Sequence, residues 1–267
     1  MDIEKLKYEA QNKALHIADV SGSTFINADC FDVFPLIADK SVDAIIADLP
    51  YGTTACKWDT IIPFEPLWEQ YKRIIKDNGA IVLFGTEPFS SKLRLSNLKW
   101  YKYDWIWNKK RGSGFLNAKR QPLRNHEIIS VFYKKQCTYN PQFTKRVHER
   151  DFRNTVMKPE SDIYGKINSY KSTITKDSPA YPKSIIEIRC LINNEKEKVA
   201  HPTQKPIELM EYLIKTYTKE DEIILDNTMG SGTTGLACLK TNRQFIGIEK
   251  EKQYYDVAVR RALEYCH

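Results

Sequence analysis

Short β-branched runs separated by stretches with helical spacing recur along the chain. Thr24-Phe25-Ile26-Asn27-Ala28-Asp29 reads as a strand, Val42 to Asp48 as a second and Ala80 to Gly85 as a third. Tyr103 to Trp107 and Ile128 to Tyr133 read as two more. Between the second and third, Pro63 to Asp77 has the spacing of a helix, stopped at Asn78-Gly79. The pattern returns late in the chain with a helix over Pro206 to Tyr217, its proline in the first turn. A strand over Glu222 to Asp226, a helix from about Thr233 to Thr241 and a strand over Phe245 to Glu249 follow. The first 20 residues read as a polar helix or arm. Alternating strands and helices predict an α/β fold, its sheet mostly parallel and covered on both faces.

The alternation breaks between about Asn140 and Ala200. That stretch is polar, rich in Lys, Ser and Tyr, and punctuated by Pro141, Pro159, Pro179 and Pro182. Its Tyr and Ile content is high for a disordered linker, which favours an inserted small domain or long functional loop. The expected organisation is one domain from 1–139 and 201–267, interrupted by an insertion over 140–200.

A chain of 267 residues can bury the core of one large domain. No run approaches the roughly 20 apolar residues of a membrane span. The charged start, Met1 to Lys5, lacks the apolar centre of a signal peptide. Six scattered cysteines without a CxxC pair argue against a zinc site or disulfide framework and for a reducing cytoplasm. Net charge is +7, unevenly placed: Lys102 to Arg153 holds 13 Lys or Arg against 4 Asp or Glu. Such charge is compatible with a plain solvated surface, but a basic segment on a near-neutral body suggests a polyanion footprint.

Gly230-Ser231-Gly232-Thr233-Thr234-Gly235 matches G-x-G-x-x-G after a strand and at the start of a helix. Glu249 closes the next strand, where an acid can hold ribose hydroxyls. A tight turn needing glycine for sterics alone is the simpler alternative, and the missing Gly-Lys-Ser/Thr excludes a phosphate-binding P-loop. Only 18 residues follow Glu249, so the rest of the sheet is built upstream. That order counts against a nicotinamide-dependent oxidoreductase.

Residues 47 to 52 read Ala-Asp-Leu-Pro-Tyr-Gly. A buried strand thus ends in an acid, a proline and a tyrosine, at the edge where parallel sheets place their ligands. Taken alone, Asp48 also suits a helix cap or turn, and Tyr51 suits packing. Three motifs together carry a resemblance. Asp48-Leu49-Pro50-Tyr51 resembles the D-P-P-Y motif of the amino-group DNA methyltransferases. Asp226 to Gly235, DNTMGSGTTG, is similar to their S-adenosylmethionine loop, D-P-F-x-G-S-G-T. His201-Pro202-Thr203-Gln204-Lys205-Pro206 matches their H-P-T-Q-K-P signature. With the catalytic motif first and the cofactor loop last, the chain resembles their permuted β group over most of its length, excepting about Asn140 to Ala200.

The resemblance implies a Rossmann-like, S-adenosylmethionine-dependent methyltransferase sheet with 140–200 as the target-recognition region. It also implies methyl transfer to an amine of a flipped base in double-stranded DNA, leaving S-adenosylhomocysteine and requiring no metal. The chemistry accounts for the residue types. An exocyclic amine is a poor nucleophile because its lone pair is delocalised, whereas a sulfonium methyl is a strong electrophile. Alignment and lone-pair localisation then matter more than a strong base. In the family picture the Asp48 carboxylate and the Leu49 carbonyl accept from the amine and take up its developing charge. Tyr51 stacks on the flipped base and Pro50 fixes the turn.

Leu49 in place of proline keeps the carbonyl, so activity is expected to survive. Asn227-Thr228 in place of Pro-Phe removes part of an apolar wall and is expected to weaken cofactor affinity. By the same resemblance Asp29, a turn residue on the plainer reading, meets the cofactor's adenine amine. Lys205 and Pro206 line the cofactor cleft, and Asp226, Gly230, Gly232, Thr233 and Glu249 complete the cofactor set. For His201 a structural role weighs as much as a contact.

Lys57 and Trp58 follow Tyr51 closely and are expected to overhang the target base, with packing an equal alternative for Trp58. Lys109, Lys110 and Arg111, then Lys119, Arg120 and Arg124, combine positive charge with glycines and are expected to clamp phosphates. His126-Glu127 carries no role beyond the start of a helix or strand. Sequence readout is assigned to 140–200. Adenine N6 is preferred to cytosine N4 because the motif begins with Asp, where cytosine enzymes more often begin with Ser. A non-catalytic DNA-binding module of the same fold is the alternative of another class. Intact Asp48, Pro50, Tyr51 and glycine loop argue against it. The reading admits a homodimer and a cognate restriction endonuclease as partners, in a cytoplasmic protein that is nucleoid-associated or phage-encoded, with no membrane.

Overall fold

The computed structural model describes the chain apart from residues 1, 2, 55, 57, 58, 146–152, 157–159, 162–164, 167–170, 176, 177, 193–196, 200–202 and 267. Two compact units emerge, Met1–Asn140 with Ser184–His267, and Pro141–Lys183. The first opens with α1 (Ile3–Asn12), β1 (His16–Val20), β2 (Ser23–Asn27), α2 (Cys30–Val33) and β3 (Val42–Ala47). It continues through α3 (Phe64–Ile74), β4 (Ile75–Gly85), α4 (Phe89–Ser96), β5 (Tyr101–Ser113) and β6 (Arg124–Phe132). The second unit holds β7 (Arg153–Val156), β8 (Glu160–Ser161), β9 (Gly165–Lys166) and β10 (Lys171–Ile174). They pair as two antiparallel ladders, β7 with β10 and β8 with β9. The chain re-enters the first unit with β11 (Ile185–Glu187), α5 (Ile207–Tyr217), β12 (Ile223–Asp226), α6 (Thr233–Lys240), β13 (Gln244–Glu249) and α7 (Lys252–Cys266).

Nine strands of the first unit form one sheet in the order β1-β2-β13-β12-β3-β4-β6-β5-β11. Five neighbouring pairs are parallel and three antiparallel. Successive side chains of a strand point to opposite faces. Ala80, Val82 and Phe84 of β4 accordingly join one core with α5, α6 and α7, while Ile81 and Leu83 join another with α1, α3 and α4. Burial on both faces is why the central strands read as unbroken apolar runs rather than alternating ones.

Helix α3 ends at Ile74, earlier than the expected Asp77, because Ile75 already pairs with Val42 as β4 begins. Asn78-Gly79 therefore lies inside the strand. Strand β1 pairs with β2 alone, and its sequence HIADV lacks the apolar run of a central strand. The Ser-rich FSSKLRLS of α4 likewise shows no strong helical stripe in the sequence, yet it buries Phe89 and Leu93. Strand β11 pairs in parallel with β5, Ile186 opposite Trp107, so the chain from Ser184 onward belongs to the first unit. The second unit is thus shorter than the 140–200 expected. Among the described residues no helix is long and apolar enough to cross a membrane.

Candidate active site

Strands β2, β13, β12 and β3 are consecutive neighbours and run parallel. Their carboxyl ends therefore share one edge, and an acid closes or follows each: Asp29, Glu249, Asp226 and Asp48. The connection from β3 leads to β4 on one side, and that from β12 to β13 on the other. Such a reversal opens a crevice between adjacent strand ends. A cavity of about 580 Å³ lies there, and all four acids line it.

Asp48 is held from two sides. The Tyr51 hydroxyl donates to one carboxylate oxygen and the Lys205 ammonium to the other. Lys205 also faces Glu127 at 3.4 Å and lies over the Phe84 ring at 5.1 Å. Glu127 in turn accepts from Lys109 at 3.2 Å. A charge ladder thus runs Asp48–Lys205–Glu127–Lys109. Burial is the largest influence on Asp48 and lifts its pKa above the usual carboxylate value; Lys205 opposes the rise and Glu127 adds to it. For Glu127, burial acts upward too, but Lys205 and Lys109 outweigh it and bring the net pKa down. Burial acts to lower the Lys205 pKa, yet Asp48 and Glu127 hold it above its usual value. The Tyr51 ring packs on Phe89, centroids 5.0 Å apart.

The loop after Tyr51 is organised by one carboxylate. Asp59 accepts from the backbone N–H groups of Gly52, Thr53 and Thr54 at 2.8, 2.9 and 2.7 Å. Burial alone would raise the Asp59 pKa, but the donors of this loop outweigh it and lower it.

On the other side of the crevice, Asp226 accepts from Thr228 N at 3.1 Å and from the Thr234 hydroxyl at 2.6 Å. Burial, its dominant influence, lifts Asp226 to about 7. Glu249 accepts from Gly230 N and Glu251 N, both at 2.8 Å, and burial still raises its pKa. Asp29 caps α2 through Phe31 N at 3.0 Å and meets Lys250 at 3.1 Å. Burial pushes the Asp29 carboxyl upward, but these donors outweigh it and its pKa falls. From α7, Arg261 donates to the Ser231 carbonyl at 2.6 Å and fixes the glycine loop.

The structure brings together Asp29, Asp48, Leu49, Pro50, Tyr51, Lys205, Asp226, Gly230, Thr233 and Glu249, all lining the cavity. Two residues of the expected cofactor set stand apart. Pro206 is buried at the N-cap of α5. Gly232 faces α7: a Cβ there would sit 2.6 Å from the Ala258 Cβ, and its φ of +74° is left-handed. Among the expected phosphate clamps, Lys109 is turned inward to Glu127, its side chain only 13% exposed. Lys110 pairs with Glu187 at 3.1 Å, and Arg111, Lys119, Arg120 and Arg124 are exposed. Lys57, Trp58, His201 and Pro202 lie outside the described residues. Glu127 and Asp59 are site residues that motif reading missed; a signal existed for Glu127 only in its place beside the basic clusters.

The Asn227-Thr228 departure is built into the site. Asn227 accepts from the Tyr71 hydroxyl of α3, and the Thr228 hydroxyl donates to the Asp48 carbonyl at 3.1 Å. Both residues that depart from the motif thus make hydrogen bonds to other elements of the fold.

A family model described as DNA methylase, of the N6/N4 type, matches residues 42–260. The chain belongs to this DNA methylase family. The Type II methyltransferase M.HinfI of Haemophilus influenzae is 28% identical over 91% of this chain and 68% of its own length. M1.MboII of Moraxella bovis is 27% identical over 86% of this chain and 92% of its own. Among solved structures, the M1.HpyAVI–SAM complex superposes with a TM-score of 0.56 at 27% identity, covering 89% of this DNA methylase and 98% of that chain. The PvuII DNA methyltransferase, described as cytosine-N4-specific, reaches 0.62 over 92% and 91% of the two chains. At 13% identity that second likeness speaks for the fold alone.

Proposed function

We propose that this DNA methylase transfers the methyl of S-adenosylmethionine to adenine N6 in double-stranded DNA. One observation carries the reading: the Asp48 carboxylate is held by Tyr51 and Lys205 in the cavity that the glycine loop also lines. The cavity has the size of a small-molecule site, and its acids suit the cofactor. Glu249 and Asp29 present acceptors for hydroxyl and amine donors, and lining acids outnumber lining lysines, which favours a cationic ligand.

When bound, S-adenosylmethionine supplies an electrophilic methyl on a sulfonium sulfur. Each carboxylate oxygen retains a further lone pair, so Asp48 can accept an amine hydrogen without releasing Tyr51 or Lys205. The Leu49 carbonyl is the second acceptor. Together they favour the pyramidal nitrogen and take up its developing positive charge. The nitrogen–carbon bond forms as the sulfur–carbon bond breaks, and the amine then loses one proton to water. Tyr51, backed by Phe89, offers its ring to the flipped base. Asp59 keeps the Gly52–Thr54 backbone arched beside it.

Adenine is preferred to cytosine because the motif opens with Asp. The inserted region reads the DNA sequence, and Arg111, Lys119, Arg120 and Arg124 hold phosphates. By likeness to the Type II relatives, a cognate restriction endonuclease is the proposed protein partner, in the cytoplasm; sedimentation tests the homodimer.

The test is label transfer from methyl-labelled S-adenosylmethionine to mixed-sequence duplex DNA, with product nucleosides resolved by mass spectrometry. N6-methyladenine, lost in Asp48→Ala, supports the reading. N4-methylcytosine would keep the mechanism and replace the base. Cofactor binding without transfer would favour the non-catalytic module.

A further inference from the structure

Phe115 and Leu116 are large apolar side chains held out in water, 77% and 85% exposed. They sit at the tip of the β5–β6 hairpin, in a short helical turn over Phe115–Asn117. The tip is braced by its own backbone hydrogen bonds. Asn117 N donates to Gly114 O at 3.0 Å, Ala118 N to Phe115 O at 3.1 Å and Arg120 N to Asn117 O at 2.8 Å. The Ser113 hydroxyl closes the neck on Arg124 O at 2.9 Å. Gly114 opens the turn at φ +84°, a conformation that side-chain-bearing residues rarely adopt. Two adjacent apolar side chains held this far into solvent at one tip form a candidate contact surface.

We propose that Phe115 and Leu116 form a wedge that enters the DNA base stack beside the target, filling the space a flipped base leaves. The inference rests on the DNA methyltransferase reading and adds to it the element that opens the duplex. Two further observations support it. Exposed cations flank the wedge along the chain on both sides, Arg111 before it and Lys119, Arg120 and Arg124 after it, which suits a polyanion around an apolar insertion. The hairpin also rises from the active site. Glu127, which lines the cavity, pairs with Trp107 in the ladder, and the next pairs are Asn108 with His126 and Ser113 with Arg124.

The register shifts between Asn108 and Ser113, where Lys110 takes φ +53°. A bulge of this kind bends a strand and re-aims the residues beyond it. From Glu127 to Arg124 the paired stem extends on the order of 10 Å at about 3.3 Å per residue, with the turn beyond it, a reach comparable with a major groove about 8.5 Å deep. Flipping a base costs stacking and pairing on the duplex side. DNA-kinking proteins insert apolar side chains between base steps; in the space left by a flipped base such side chains would stack on the neighbouring bases and offset part of that loss.

The experiment compares wild type with Phe115→Ala/Leu116→Ala on two duplexes. One is fully paired; in the other the target base stands opposite an abasic site. The wedge variant should lose about tenfold or more in kcat/KM on paired DNA, while its loss with the pre-opened target stays within about threefold. A 2-aminopurine at the target should brighten with wild type and stay dark with the variant. Equal losses on both duplexes, or no loss on either, would overturn the wedge. So would a wild-type dimer that the variant dissolves, because the tip would then belong to a second copy. Phe115→Trp, which keeps apolar bulk, should retain most activity and guards against a folding defect. Failure of the methyltransferase reading is separate: wild type would label neither duplex.

Discussion

The Thr228 hydroxyl donates to the main-chain carbonyl of Asp48 at 3.1 Å, across 180 residues of sequence. Asp226 accepts from the Thr228 backbone, so the bond joins the turn after β12 to the turn after β3 across the crevice. Asp48's peptide is thereby anchored to the loop that lines the opposite side of the cavity.

Thr228→Val should remove that anchor at the cost of one net hydrogen bond, about 1 kcal/mol. We expect kcat to fall roughly fivefold, with the cofactor KM nearly unchanged and Thr228→Ser close to wild type. Steady-state kinetics on both substrates decides it. A fall in cofactor affinity with intact kcat would instead place Thr228 in the cofactor wall.

Lys205 restrains the upward shift that burial imposes on Asp48. In Lys205→Met that restraint is gone, so the Asp48 pKa rises further. Activity that requires ionised Asp48 should then need a higher pH, and the acid limb of the kcat/KM profile moves upward. The same change leaves the Asp48 carboxylate buried without a cationic partner and should cost about 3–5 kcal/mol of stability. An acid limb that stays in place would remove Asp48 as its source.

Asp226 sits at about 7 in the folded chain, against an ordinary value near 3.9 when unfolded. Between those values the native state keeps a proton that the unfolded state has released. Stability should therefore fall as pH rises from about 4 to 7, then level off. Asp48 and Glu249, also raised, add slope of the same sign. Asp226→Asn preserves the shape and should make urea-unfolding free energies flatter across this window. An unchanged slope would assign the pH dependence to the other two acids.

A methyl at position 232 would meet the Ala258 Cβ at 2.6 Å and force a left-handed backbone on alanine. Gly232→Ala should lower the unfolding free energy by about 2–4 kcal/mol, from overpacking and strain together. Ala258→Gly in the same chain should recover the packing part only, a split that denaturant titration of the three variants reads directly.

Much of the sheet is legible in the sequence because its signals are local. Runs such as Ala44–Ala47 and Ala80–Phe84 are apolar throughout, as burial on both faces demands. The glycine loop and the acids at strand ends are spaced along short segments. Edge elements such as β1 and β11 carry no such signal, since each is stabilised by a single neighbour. The tertiary structure alone decided which distant groups meet. Lys205 reaches Asp48 over 157 residues because β3 and α5 converge on one crevice. The β5–β6 register sets Trp107 opposite Glu127, and Lys109, expected to clamp phosphate, turns inward to that acid. Gly232 is required by a methyl on α7, a constraint that its place in the glycine loop does not reveal. Sequence by itself determined the central strands, the order of the motifs and the acids available for chemistry. Partnership between them depends on strand order and helix packing, which place side chains within hydrogen-bonding range whatever their separation along the chain.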